Sequence, residues 1–331
     1  LLGPVFLEVT LPAIYLSSNG SATNYVNSIG HALIQEISIE IGEQEIDKQT
    51  GEWMEIWSDL TTTSEKKSGF YDMIGKVDGY VPPTGSLPGP LKLYIPLQFW
   101  FNKNPGLYLP LLALQYHPVR INITLRPLQQ LFYSGELVTN CDTTTVNPAK
   151  ITSMMLYGDY VHLDVEERRR FVSTAHEYLI EQVQYTPALG VPASVTSVPL
   201  RLEFNHPLRE LIWVIKRDIM DSYHEWFNYS SLAIDEIVPL EVKEYINTNS
   251  PTGDRIDLIS SAKLQLDGYD RFTTRIPMYF RLQQPYEHHT TTPVNSFIYN
   301  YSFALRPEDA QPTGTMNASR IDSIVWQIQM N

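Results

Sequence analysis

The side chains most able to do chemistry are few and scattered. His288-His289 is the obvious pair, but in an extended chain neighbouring side chains point to opposite faces, so the two do not readily share one metal. No His-x-His, Cys-x-x-Cys or His-Glu-x-x-His motif accompanies them. A metal-dependent β-barrel enzyme of the cupin kind needs histidines and carboxylates clustered on inward strand positions, and the sequence lacks that cluster. His206, in Asn205-His206-Pro207, follows a strand and reads as a hydrogen-bonding residue at the strand end. Asp267-Gly-Tyr-Asp270 contains the Asp-Gly dipeptide of a hairpin turn and too few oxygen ligands for a calcium loop. Arg168-Arg169-Arg170 follows Glu166 and Glu167, which suits a solvated, salt-bridged helix better than an anion site. Cys141 lies in a polar loop without a neighbouring base, so it is not a nucleophile. Neither a Gly-rich phosphate loop nor G-x-S-x-G is present. Five Asn-x-Ser/Thr sequons, at Asn19, Asn122, Asn228, Asn300 and Asn317, read as chance matches, because Asn122 and Asn300 fall inside expected strands. The chain therefore carries no assigned catalytic, cofactor-binding or metal residue, and no cofactor is expected.

The elements around these residues are strands. Ile37, Ile39 and Ile41 alternate with polar neighbours, as do Val119, Ile121, Ile123 and Leu125. The same alternation runs through Leu200, Leu202 and Phe204, and through Ile276, Met278, Phe280 and Leu282. Phe297, Tyr299, Tyr301, Phe303 and Leu305 share one face of a nine-residue run, and Ile324, Trp326, Ile328 and Met330 form the last. One apolar and one wetter face is the mark of antiparallel sheets. Between the last two runs, Arg306-Pro-Glu-Asp-Ala-Gln-Pro-Thr-Gly314 reads as a stiff polar loop. Long helical periodicity is almost absent. The best helix is Asp164–Val172, with Asp164 as cap, Glu167 completing a capping box and the arginines toward the C-terminal end.

Composition agrees with an all-β protein. In 331 residues there are 23 prolines and 20 tyrosines, 43% hydrophobic and only 18% charged residues. That is enough apolar material for a sizeable core, and Pro-rich loops joining aromatic and β-branched runs favour sheets. The net charge of −13 argues against a broad nucleic-acid surface. A single cysteine excludes an intrachain disulfide and suits a reducing compartment. No apolar run approaches a membrane span. The chain opens on a strand-like Leu1-Leu-Gly-Pro-Val-Phe-Leu without initiator Met or signal peptide, so it is expected to be the ordered part of a longer protein.

The helix at 164 sits mid-chain, with similar content on either side. Each half holds strands, Pro/Gly loops and a turn-rich excursion, around Val81–Pro90 in the first and Asn247–Gly253 in the second. About 160 residues per half suits an eight-stranded jelly roll with elaborated loops. The layout divides into 1–163, a connector at 164–175, and 176–331. Apolar residues at Phe99-Trp100-Phe101, Trp213 and Leu107–Leu114 exceed what one sheet face buries, which points to extensive domain or subunit contact.

Fragments along the whole length resemble one family. Tyr25-Val-Asn-Ser-Ile-Gly30 leads to Glu36-Ile-Ser-Ile-Glu-Ile-Gly42, Glu45-Ile-Asp47 and Gly51-Glu-Trp53. Ile95-Pro-Leu-Gln-Phe-Trp-Phe101, Leu109–His117, Glu166–Phe171 and His176–Gln182 follow. Phe204-Asn-His-Pro207, Glu210-Leu-Ile-Trp213, Tyr301–Glu308, Gln311-Pro-Thr-Gly314 and Asn317–Ile321 complete the series. In this order the chain resembles the major capsid proteins of the nucleocytoplasmic large DNA viruses, the iridovirus, phycodnavirus and mimivirus relatives. The resemblance implies an all-β double jelly roll: two tandem eight-stranded antiparallel sandwiches with a short connecting helix. It implies a structural, non-enzymatic role in an icosahedral virion capsid. The capsomer would be a pseudo-hexagonal homotrimer touching neighbouring capsomers and minor capsid or cement proteins. It would overlie an internal membrane, make no direct contact with nucleic acid and assemble in host-cell cytoplasm. The chain is shorter than many relatives, with smaller outer loops expected. The competing reading is a jelly-roll carbohydrate-binding module or cupin-like enzyme.

Overall fold

A computed structural model describes residues 1–13, 24–77, 90–133, 151–231 and 256–331. Cys141, Asn19, the 247–253 excursion and most of the 81–90 excursion lie outside the described residues. The chain divides into two compact units that are not contiguous in sequence. The first comprises Leu1–Glu55, Glu65–Val183 and Ser222–Trp226; the second comprises Ile56–Ser64, Gln184–Asp221 and Phe227–Asn331.

In the first unit, β1 (Leu2–Leu11) lies between β5 (Leu91–Pro96) and β8 (Ser153–Tyr160), all antiparallel. A second sheet places β3 (Ile34–Ile41) between β4 (Gln44–Thr50) and β6 (Val119–Leu125), and β2 (Asn24–Tyr25) pairs β7 (Phe132–Tyr133). Alternation dictates the core: Val5, Leu7, Val9 and Leu11 are buried on β1, and Ile37 and Ile39 on β3. Phe99, Trp100 and Phe101 are all buried at the short helix α4 (Trp100–Lys103). In Leu107–Leu114, Leu109 is buried while Leu112 is exposed.

In the second unit, a sheet runs in the order β13–β12–β16–β9, from β9 (Ser197–Leu202), β12 (Ile259–Leu266), β13 (Tyr269–Asp270) and β16 (Ile324–Met330). Two short pairs join β10 (Pro207–Leu208) to β15 (Met316–Asn317) and β11 (Glu210–Trp213) to β14 (Tyr299–Ser302). Leu266 pairs Tyr269 across a two-residue loop in which Asp267 and Gly268 both have positive φ, the type I′ hairpin geometry the Asp-Gly dipeptide favours. The core centres on Trp326, 2% exposed, whose ring meets Trp213 at 4.3 Å and Phe280 at 5.6 Å.

Helix is more abundant than the sequence reading allowed. After α1 (Ile29–Leu33) come α2 (Gly51–Thr61) and α3 (Ser64–Ile74), both unanticipated. Trp53, Ile56, Trp57 and Leu60 do fall at i, i+3, i+4, i+7. Position 51 has to be glycine: a Cβ there would stand 2.2 Å from the His31 carbonyl oxygen and 2.3 Å from that of Ile34. The expected helix is α5 (Val165–Ser173), and the Glu167 carboxylate accepts from the Asp164 N–H at 3.3 Å, as in a capping box. Residues 175–196 then run without regular secondary structure.

Two strand expectations need correction. Ile276–Leu282 is not a strand: Pro277 opens a helical turn, a π-helical stretch covers Tyr279–Gln283, and α6 (Gln284–His288) follows. Proline cannot donate to a ladder but fits a first helical turn. The run Phe297–Leu305 is extended only over β14, buried on both faces, and Leu305 is exposed. Phe297 has φ 51°, outside strand geometry, and the Ser302 hydroxyl closes a turn by donating to the Ala304 carbonyl. The loop 306–314 is ordered. Arg209 donates to the carbonyls of Pro307, Asp309 and Ala310, and the Thr313 hydroxyl bonds Arg306 N and O. Among the described residues no helix is long and apolar enough to cross a membrane.

Candidate functional site

Among the described residues, three networks of buried titratable groups stand out, with Asp47, Asp59 and Glu225 buried elsewhere. Helix α6 ends at His288, and the next residue, His289, turns its side chain fully inward. Its Nε2 lies 2.8 Å from Glu210 Oε2 on β11, and its Nδ1 lies 3.0 Å from Glu308 Oε1 in the 306–314 loop. Glu308 also accepts from the Thr290 N–H at 2.7 Å, and the edge of Trp57 packs against the imidazole. Burial opposes charging of His289, but hydrogen bonds and the charges of Glu210 and Glu308 win, raising its pKa to about 9. Burial likewise opposes ionisation of Glu308, yet His289 and Thr290 hold its carboxyl below the usual carboxylate range. The result is an imidazolium clamped between two carboxylates, with neither ring nitrogen left to bind a substrate or metal. His288 points elsewhere, its Nδ1 3.0 Å from the Leu305 carbonyl oxygen. The adjacent histidines do diverge, although a helix end and not an extended chain separates them.

The other two networks belong to different elements. In the first unit, Glu55 at the middle of α2 is enclosed by His31 Nδ1 at 2.5 Å, Lys76 Nζ at 2.8 Å and the Ser28 hydroxyl at 2.8 Å. Desolvation works against its charge, and the Lys76 and His31 interactions hold the carboxyl low nonetheless. In the second unit, Arg281 grips Asp257 through Nε at 3.0 Å and a terminal nitrogen at 3.2 Å, and donates to the Val294 carbonyl at 2.7 Å. Tyr299 donates its hydroxyl to Asp257 at 2.8 Å, and burial first, then the Asp257 charge, keeps that hydroxyl protonated. Each network pairs its charges internally and ties together segments distant in sequence. None presents a nucleophile beside a base over open space. Among the described residues, no cluster of three or more His, Cys, Asp and Glu is arranged to hold a metal.

The remaining residues singled out from sequence stay apart. His206 has φ 63° after β9, and its backbone N–H donates to the Ser319 hydroxyl at 2.8 Å. Arg169 pairs Glu166 at 3.3 Å on an exposed helix face. Among the sequons, Asn300 is fully buried, while Asn122 donates to Glu40 at 2.7 Å on β6. Glu55, His31, Glu210 and Glu308 had no local signal, because their partners lie tens of residues away.

The surface is where large apolar side chains are left uncovered. Tyr116 is 86% exposed and Tyr286 79%. Ile276 and Met278 line a shallow open groove beside Tyr286 and Arg275. On β8, Met155 and Tyr157 are each half exposed. This distribution suits a molecule whose chemistry is contact.

Comparison with known proteins gives the same picture. A model of the large eukaryotic DNA virus major capsid protein matches residues 167–331, and one of the major capsid protein N-terminus matches residues 1–164. The chain is 34% identical to the major capsid protein of Phaeocystis pouchetii virus, over 98% of this chain and 80% of that one. It is 37% identical to the major capsid protein of Pyramimonas orientalis virus, over 91% and 70%. Among solved structures, a chain of the quasi-atomic PBCV-1 virus capsid superposes with a TM-score of 0.78 and 32% identity, covering 99% of this chain and 77% of that one.

Proposed function

The chain belongs to the family of large eukaryotic DNA virus major capsid proteins, and from that premise we propose that three copies close into one pseudo-hexagonal capsomer. It is a double jelly-roll structural protein of the virion capsid, not an enzyme, and it works by associating with itself and with neighbouring capsomers. In the proposed capsomer, residues 1–163 and 176–331 supply one jelly roll each, joined by 164–175, so that three chains give six. Minor capsid or cement proteins fill the joints, the shell overlies an internal membrane without touching nucleic acid, and assembly takes place in host-cell cytoplasm.

The observation that carries this reading is its continuity: likeness to capsid proteins runs through both halves of the chain without a gap in role. The closed, internally paired networks around His289, Glu55 and Arg281 fit a protein whose function is shape. No observation favours sugar binding or cupin-like catalysis. Negative-stain microscopy of the purified protein tests the proposal. Threefold particles with a hexagonal outline are expected, and a monodisperse monomer that binds a sugar or metal would overturn it.

A further inference from the structure

Strand β4 turns polar residues inward where apolar ones are expected. Asp47 and Gln49 pair Ile39 and Ile37 of β3, so they share the face on which those isoleucines are buried, and both are buried themselves. An acid and an amide at core positions carry a desolvation cost that hydrogen bonds must offset. The bonds that do so reach well beyond the strand. Asp47 Oδ1 accepts from the Val183 backbone N–H at 2.9 Å, and its Oδ2 accepts from the Gln49 amide at 2.8 Å. Gln49 also donates to the Gln98 carbonyl at 3.2 Å.

Val183 is one of three consecutive residues fastened within the first unit. Glu181 meets Lys103 Nζ of α4 at 2.8 Å, and the Gln182 side-chain amide donates to the Ile46 carbonyl. The bonds from Gln182 to Ile46 and from Val183 to Asp47 both span 136 positions, so the two segments run in step. Residues 181–183 lie in the stretch after α5 without regular secondary structure, and side chains, not a β-ladder, make each of these three contacts. The contacts can break without disturbing any β4–β3 pair. Burial pushes the Asp47 carboxyl up, against the pull of the Val183 N–H, the Gln49 amide, the Lys48 N–H and the Lys103 charge. Both carboxyl oxygens face donors, so a side-chain amide at position 47 would set N–H against N–H.

We propose that residues 181–183 form a strap that opens and closes on an otherwise intact first unit, with Asp47 as its latch. Segments held by a few side-chain bonds open at far lower cost than the sheet beneath them. The sheet gives up apolar contact at two core positions and gains a segment it can release.

Hydrogen exchange and limited proteolysis of the full chain test the strap. In the wild type the Val183 amide should be protected, yet exchange faster than the amides of Ile37 and Ile39 by about tenfold or more, because local opening frees it. Asp47→Asn keeps the size of the side chain and removes one of its two acceptors. Gln182→Ala removes a fastening from an exposed residue, and so decides the matter even where the buried change unfolds the unit. Cleavage beside Glu181 by a glutamate-specific protease is expected to quicken by about fivefold or more in both variants, with circular dichroism and exchange of Ile37 and Ile39 unchanged. A Val183 amide that is unprotected, or that exchanges in step with Ile37 and Ile39, overturns the inference. So does wild-type cleavage in either folded variant.

Discussion

At the scale of single residues, the most telling group is His289. An imidazole with both nitrogens committed to carboxylates is a structural cation, and its worth depends on pH in a definite direction. Its pKa is raised from about 6.5 in the unfolded chain to about 9 in the folded one, so the stabilisation is complete below about pH 6.5 and disappears as pH rises through about 9. Glu308, held low, contributes above the normal carboxylate range and is lost on acidification. Stability is therefore expected to fall by on the order of 3 kcal/mol between about pH 6.5 and 9, read as a lowered melting temperature. His289→Gln should flatten that alkaline slope, and an unchanged slope would remove His289 as its source. The sequence displayed the His288-His289 pair but not its meaning. Glu210 and Glu308 stand 79 and 19 residues away, and only the fold brings them to the ring.

Among elements, β16 is the one read most fully from sequence. Its alternation places Ile324, Trp326 and Ile328 inward between β12 and β9, as the period-two pattern requires. Trp326→Ala should cost about 3–5 kcal/mol, read as a lowered denaturation midpoint, because Phe280 and Trp213 cannot collapse into the space left. Unchanged stability would show that this strand does not hold the core. Strands were legible wherever one face is buried and the other wet, as in β3, β6 and β9. They were misread where that contrast fails. Ile276–Leu282 alternates in sequence, but Pro277 and the π-helical stretch override the pattern, leaving Ile276 and Met278 at the surface. Helix α2 was missed for the opposite reason: buried on nearly all sides, it carries Glu55, Ser58 and Asp59 inside along with its apolar residues. Its apolar residues keep helical spacing, but with the polar face buried too there is no wet side to set them off.

For the whole molecule, the net charge of −13 per copy sets how readily copies meet. Like-charged subunits repel at low ionic strength, and salt screens that repulsion. Light scattering should therefore show faster association at about 150 mM than at about 10 mM salt; the reverse order would mean that charge-complementary contacts dominate. Another whole-molecule property lies in the second unit's use of residues from early in the chain. Ile56 and Leu60 pack with Phe297 and Ile298, Ser296 bonds Asp59 across 237 positions, and Thr291 bonds Thr62 across 229. On the ribosome, at about 5–20 residues per second, the first of these segments waits roughly 10–50 s for its partners to be made. During that interval Ile56 and Leu60 have no native core to enter. The second unit cannot be completed until residues 291–298 are made, and until then that early helix has to be kept from the wrong company.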